Sequence, residues 1–444
     1  MHFFPSEDFE FRSESGKLFF VHRKSEARVS TDKLGRAIWE NLPGLKEEVI
    51  QKSMEKADAK EDLVQDFLYV MQRAGLVKSS SAAKEKILPA ERAAKKDADL
   101  VSTIIVTYNS EEHIKDCVES VLSQTYKNLE VIVVDNASKD RTVKIVQTHY
   151  PRVRVFPLRK NLYFPGGVNY GIERAGGEYL LVLNDDLELD DNCVSRLVEK
   201  MISEKQAGAV VPMMKFYHLR GFVNGIGNQI RDQGWGSDNF IGCVDVGQFH
   251  GLNEVPSACF AAVLLRRKAV DDVGLLDRKY QSYYEDSDWS FRCWLRGWRI
   301  VPETEAVVYH KFGAHWKTSP HKLKLVARNR LRFVIKIFSK RRMLHFLKNY
   351  LREDLKNLLS LPRKKEFSLA FAYPGAYFSL ALSLPDILLK RRKILRTKVP
   401  YLREDDVLRK NPDFWNCLNE NNVPVLNTQL IREYYRQEIE KLKA

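Results

Sequence analysis

Two short runs hold residue types whose spacing could do chemistry. In LVLNDDLEL (181–189) an apolar stretch ends at Leu183, and Asn184, Asp185 and Asp186 follow without a break. Adjacent carboxylates after a buried strand repel each other and are costly to desolvate, so a cation between them and their ligand would explain them. In SYYEDSDWSFR (282–292), Glu285, Asp286 and Asp288 lie among aromatic residues at the start of a helical stretch. Carboxylates are favoured at a helix N-terminus, so capping is one explanation. The other is that one of them takes a proton from a reacting hydroxyl. A histidine, His310, ends a further apolar run, VVYH.

Alternating strands and helices must position these groups. VSTIIVTYN (101–109), LEVIVVDNAS (129–138), VRVFPL (153–158) and EYLLVLNDD (178–186) read as strands. EEHIKDCVESVLSQ (111–124), RTVKIVQTHY (141–150) and a stretch near 166–175 read as helices. The pattern predicts an α/β fold, an open and mostly parallel sheet with helices on both faces. Ligands of such sheets sit at the carboxyl ends of the strands. Three strands end there in polar groups: Thr107 and Asn109, Asp135 and Asn136, Asp185 and Asp186. Each alone could be a cap or turn residue; three at one edge point to a ligand. The first strand runs into TYNSEEH, which has no glycine, and no G-x-x-x-x-G-K-[ST] occurs. A Gly-rich loop therefore does not cradle a diphosphate, and Mg2+ or Mn2+ held by carboxylates is the other common way to bind one.

TIIVTYNSEEHIKDCVESVLSQTYKNLEVIVVDNASKDRT resembles the start of glycosyltransferase family 2. RKNLYFPGGVNYGIERAGGEYLLVLNDDLEL is similar to its rhamnosyltransferase-like branch, and YYEDSDWSFRCWLRGWRIVPETEAVVYH to its acceptor half. The resemblance implies a GT-A fold, a nucleoside-diphosphate-sugar donor, a divalent metal and an inverting transfer. It places Thr107, Asn109, Asp135 and Asn136 on the nucleoside, and Gly166, Gly167 and Asn169 against the donor, although the glycine pair also suits an ordinary loop-to-helix turn. It gives Asp185 to ribose or sugar, and Asp186 to the metal with His310 and the weaker Glu188. Asp286 becomes the base, with Glu285 the second catalytic residue and an acceptor contact, Asp288 orients the loop, and Asp288 and Trp289 face the acceptor. His315 is an alternative to His310. Phe260, in SACFAAVLLRR, stands where the family has small residues, and a bulky acceptor wall is expected.

The remainder of the chain is less specific. Residues 1–80 resemble the small winged-helix domains called PqqD-like, with helical spacing in IWENL (38–42) and EDLVQDFLYVMQRAGLV (61–77), and 81–99 read as a linker. The catalytic domain is expected over 100–316, a basic region over 317–398 and a helical tail over 399–444. Net charge is +14, yet Lys311–Lys398 holds 23 Lys and Arg against 4 Asp and Glu. Mixed with apolar residues at helical spacing, this charge suits an anionic membrane surface, with 367–389 lying in the interface rather than spanning it. Nucleic-acid binding is the alternative, but no zinc-finger or RNP-type motif accompanies the charge and none is expected to bind. Six scattered cysteines, without a Cys-x-x-Cys pair, fit a reducing compartment. The start, MHFFPSEDFEF, has no signal-peptide pattern. The expected setting is the cytoplasm, at the inner face of the membrane. The acceptor is expected to be a lipid-linked glycan in cell-surface assembly, or a peptide recruited by the front domain.

Overall fold

The computed structural model describes residues 99–412 apart from 218–219, 232–233, 246, 312–318, 365–370 and 401, together with five short strands between residues 3 and 79. Those strands are β1 (Phe3–Pro5), β2 (Phe9–Glu14), β3 (Lys17–His22), β4 (Arg28–Thr31) and β5 (Val77–Ser79). β2, β3 and β4 form an antiparallel sheet and β1 pairs with β5. The helical run expected at 38–42 and residues 61–76 of the run expected at 61–77 lie outside the described residues, as does His315, while Val77 opens β5 rather than ending a helix.

The main sheet begins with β6 (Val101–Thr107), β7 (Leu129–Asp135), β8 (Arg154–Pro157) and β9 (Tyr179–Asn184). These four are parallel, and β6 is buried along its whole length, as a strand covered by helices on both faces must be. Their connections are the helices α1 (Ile114–Leu122), α2 (Thr142–His149) and α3 (Tyr163–Ile172). The sheet continues through β10 (Leu187–Leu189), α4 (Cys193–Ser203), β11 (Ala207–Phe216), β12 (Val223–Gly225), the hairpin β13 (Asn228–Ile230) and β14 (Gly236–Asp238), then β15 (Ala262–Arg266), α5 (Arg267–Val273), α6 (Glu285–Leu295) and β16 (Arg299–His310). The strand order is β10-β16-β11-β15-β9-β6-β7-β8, with β12 on β11. β15 runs antiparallel between β9 and β11, and β10 antiparallel to β16. The sheet is thus parallel on the side of β6 to β9 and mixed beyond. Two apolar layers, one on each face, fill the space under the helices.

The basic region forms α7 (Pro320–Ile337), α8 (Lys340–Lys364) and α9 (Ala372–Thr397), followed by the short α10 (Glu404–Leu408). α9 is continuous through Pro385, while Pro374 sits in its first turn, where no intrahelical amide bond is lost. Among the described residues no helix is long and apolar enough to cross a membrane. α7 differs from a helix lying on lipid. Its Arg330, Arg332 and Lys336 are buried. Arg332 and Lys336 each lie 2.9 Å from Asp277, Lys336 lies 2.7 Å from Asp288, and Arg330 pairs with Asp354. Arg332 and Lys336 fasten α7 to the catalytic domain and Arg330 fastens it to α8, and these cations are not available to lipid or nucleic acid.

Candidate active site

The first wall of the site stands at the carboxyl ends of β6, β7 and β9. Asp135 closes β7 and accepts from the amide of Ser138 at 3.0 Å and from its hydroxyl. Asn109, at φ +52°, accepts from Lys139 N and donates its own amide to Ser138 Oγ, both at 2.8 Å, which laces the two loops together. The hydroxyl of Thr107 is buried without a hydrogen bond among the described residues, the kind of group a ligand can satisfy. Asn136 serves the protein: it accepts from Leu162 N at 3.1 Å and donates to Tyr163 O at 3.4 Å, holding the start of α3. Gly167 admits Val106, whose Cγ1 would lie 2.7 Å from an added Cβ, and Gly166 admits Leu162 at 2.6 Å. Gly167 lets α3 approach β6 closely, while Gly166 packs against Leu162 at the start of α3 itself. Asn169 is buried and pins Leu276 from both sides, at 2.9 and 3.0 Å.

The acidic turn follows β9. Asp185 and Asp186 are both buried, and Asp185 Oδ2 accepts from Tyr108 N at 3.3 Å. Asp186 Oδ2 faces His310 Nε2 at 3.4 Å, and the opposite ring nitrogen, Nδ1, lies 2.7 Å from Asn224 Oδ1. With Nδ1 donating to that oxygen, Nε2 turns a lone pair toward a carboxylate, and a proton or metal ion reconciles the two. One carboxylate and one imidazole suit Mg2+ or Mn2+, which share their shells with phosphate oxygens and water. Among the described residues no group of three or more such side chains gathers, so a donor diphosphate would have to complete the shell. Glu188 does not join them: it pairs with Arg220 at 2.7 Å.

The second wall is the N-terminus of α6. The turn before it is held open against backbone preference, with Gln281, Tyr283 and Tyr284 at φ +66°, +71° and +70°. Asn329 of α7 stabilises that turn by donating to the carbonyls of Tyr280, Ser282 and Tyr283 at 2.8, 2.7 and 3.0 Å. Asp286 accepts from Ser287 N at 2.6 Å and from Asn228 Nδ2 at 2.8 Å. Burial pushes its carboxyl up to about 6, and Asp238 adds to the rise. Burial pushes Glu285 further still, with Asp286 and Asp288 adding to it, and Glu285 Oε2 is buried without a hydrogen bond among the described residues.

Asp288 and Trp289 depart from expectation. Both are fully buried, so neither reaches an acceptor. Asp288 accepts from Tyr280 OH at 3.1 Å and pairs with Arg292 and Lys336; Trp289 donates to Gly274 O at 3.0 Å. Phe260 packs edge-on against Trp289, 5.6 Å between ring centres, and belongs to the core rather than to an acceptor wall.

The two walls are joined by groups the sequence did not single out. Asn184 N donates to Ala261 O at 2.8 Å, and Ala258 N donates to Ser290 Oγ at 3.0 Å, so the loop before β15 links the β9 turn to α6. Asp238 is raised by burial to about 6, opposed by His310, and its charge also acts on Asp286. The Cys259 thiol is raised well above its ordinary range by burial, then by Asp238, Asp286 and Glu285. A buried pocket of negative charge therefore lies between His310 and α6. Asn224, Asn228 and Asp238 come from three-residue strands in a glycine-rich segment, whose only sequence signal is its scatter of Asn and Asp.

Residues 102–274 match the family described as Glycosyl transferase family 2. The chain carries a glycosyl transferase family 2 domain. Glycosyltransferase GlyG of Streptococcus pneumoniae is 32% identical over 117 residues, 26% of this chain and 38% of that protein. This chain therefore spans well under half of the length of that relative. The N-acetylglucosaminyl-diphospho-decaprenol L-rhamnosyltransferase of Mycobacterium tuberculosis is 24% identical over 237 residues, 48% of this chain and 76% of that protein. Among solved structures, GalNAc-T7 with UDP, GalNAc and Mn2+ aligns over 78% of this chain and 57% of its own at 14% identity, with a TM-score of 0.45. The family 2 domain thus includes β6 to β15, and α6, β16 and the C-terminal helices complete the second wall outside the matched residues.

Proposed function

We propose that the chain is an inverting glycosyltransferase that moves a sugar from a nucleoside-diphosphate donor to an acceptor hydroxyl with the help of a divalent metal ion. The observation that supports this reading is the pairing of Asp186 and His310, 3.4 Å apart, beyond the carboxyl end of β9, together with a carboxylate of raised proton affinity, Asp286, at the N-terminus of α6. In a single displacement the acceptor oxygen bonds to the anomeric carbon while that carbon's bond to the diphosphate breaks. The electron pair leaves with the diphosphate, and the hydroxyl proton passes to Asp286. Asp186 and His310 would hold a Mg2+ or Mn2+ ion, which when bound would supply charge stabilisation for the leaving group. In this reading Asp185 contacts ribose or donor sugar, and Thr107, Asn109 and Asp135 line the nucleoside pocket.

Rhamnose is the first donor to test, by likeness to the mycobacterial relative, whose name also makes a lipid-linked glycan the first acceptor. An anionic membrane at the inner face of the cell is the partner we assign to α8 and α9. Leu344, Leu351, Leu355 and Leu359 make an exposed stripe on α8, and Phe378, Leu382 and Leu389 are 68%, 71% and 69% exposed on α9. Lys and Arg outnumber Asp and Glu 15 to 4 over 340–398, so the exposed leucines sit in positive surroundings suited to acidic lipid.

The test is nucleoside diphosphate release from UDP-GlcNAc, UDP-galactose, GDP-mannose and dTDP-rhamnose, with Mn2+, Mg2+ or EDTA. Release from one donor that EDTA abolishes is expected. No release from any donor, or release that EDTA leaves unchanged, contradicts the reading.

A further inference from the structure

Asp286 is held from outside its own helix by a hairpin to which the glycosyltransferase reading assigns nothing. Asn228, the first residue of β13, donates from Nδ2 to Asp286 Oδ2 at 2.8 Å, while Ser287 N occupies Oδ1 at 2.6 Å. Asn228 is fixed in turn: its amide donates to Ser257 O at 2.7 Å, and it stands opposite Asp238 in the β13–β14 ladder. The hairpin is itself gripped by the C-terminal helices. Asn411 brackets Ile230, accepting from its amide at 3.2 Å and donating to its carbonyl at 2.6 Å. Tyr350 of α8 donates to Gly234 O at 2.5 Å. Gly234 has φ +90°, and a Cβ there would lie 2.5 Å from the Tyr350 oxygen. The Arg330 guanidinium lies between the rings of Trp235 and Tyr350, 4.3 and 4.6 Å from their centres.

We infer that Asn228 is a positioning residue for the base: it aims the Asp286 carboxylate and favours its ionised form, and the C-terminal helices act on the chemistry by holding the hairpin that carries it. The inference rests on the reading of Asp286 as the base. A neutral amide is suited to this place. It donates to an ionised carboxylate and so lowers its proton affinity, without adding a charge to a site that already holds several. The titratable groups around Asp286 are Tyr284 and Glu285 on its own segment, Asp238 from β14 and Cys259 from the loop before β15, with His310 beyond Asp238. All but His310 are acids, so Asn228 is the neutral donor that offsets them.

The experiment compares pH profiles of nucleoside diphosphate release, with water as acceptor, from whichever panel donor is most active. Asn228→Ala is expected to move the acid limb upward by about one pH unit, leaving the donor KM within about twofold. Asn228→Asp, nearly identical in shape, is expected to move it further by adding a like charge. Melting temperatures confirm that both variants are folded. An Asn228→Asp profile parallel to that of the parent overturns the positioning role. If Asp286→Ala keeps the parent rate, the base assignment has failed instead, and the two failures are distinct.

Discussion

At the scale of residues, a carboxylate can serve as base only in the pH range where it is ionised. As the proposed base, Asp286, raised by burial to about 6, has a proton affinity suited to a hydroxyl and is expected to lose activity as pH falls through that value. The rate of release is therefore expected to decline below about pH 6, not near pH 4 as for an exposed aspartate. A profile flat to pH 4.5 contradicts this. His310→Ala is expected to raise the Mn2+ concentration for half-maximal activity about tenfold or more, with Glu188→Ala nearly neutral because its carboxylate already pairs with Arg220. Equal losses for both would show that the metal sits elsewhere. The sequence made Asp186, His310 and Asp286 legible because each ends or begins a recognisable apolar element. It left Asp288 and Trp289 misplaced. Asp288 lies about 200° round the helix from Asp286 and turns to Tyr280 and Lys336, and Trp289 is buried with its indole N–H on Gly274 O.

At the scale of elements, the C-terminal helices are fastened by charges that the sequence presents as a solvated face. The partners of Arg330, Arg332, Lys336 and Lys390 are Asp354, Asp277, Asp288 and Asp386, some of them far along the chain, so no local pattern reveals the pairing. Asp277 is central. Burial opposes its charge, but Lys336 and Arg332 overcome this and hold its carboxyl well below the usual range. A depressed carboxylate stabilises the fold fully above about pH 5, and that stability is lost as pH falls below its unfolded value near 4. Asp277→Ala is expected to cost about 3 kcal/mol in urea unfolding at pH 7, because Arg332 and Lys336 lose a shared buried partner. A loss under about 0.5 kcal/mol contradicts the fastening role. The strands β6, β7 and β9 were legible from unbroken apolar runs. The hairpin was not, because three-residue strands around glycines carry too little periodicity to read.

At the scale of the whole molecule, the site is assembled from the family 2 domain and from helices beyond it. One face of α8 and α9 is spent on that assembly, through Tyr350, Asp354 and Tyr373, while the other leaves leucines in water. The full chain is expected to sediment with vesicles of phosphatidylglycerol but not of phosphatidylcholine, and to be released by high salt. Leu382→Glu with Leu389→Glu is expected to reduce the bound fraction several-fold without changing release from a soluble donor. Unchanged sedimentation, or a dimer in light scattering that the double variant dissolves, would assign the face to a second copy of the chain instead.

On the proposed reading the protein carries two separable devices, a metal-and-donor wall at Asp186 and His310 and a base at Asp286 at the start of α6. Donor affinity and turnover measured side by side for Asp186→Ala and Asp286→Ala test it most directly. Asp286→Ala is expected to bind the nucleotide sugar within about twofold of the parent and to lose turnover by about a hundredfold or more. Asp186→Ala is expected to lose the metal-dependent part of donor binding. Collapse of donor affinity in Asp286→Ala, or intact metal-dependent affinity in Asp186→Ala, would contradict the account.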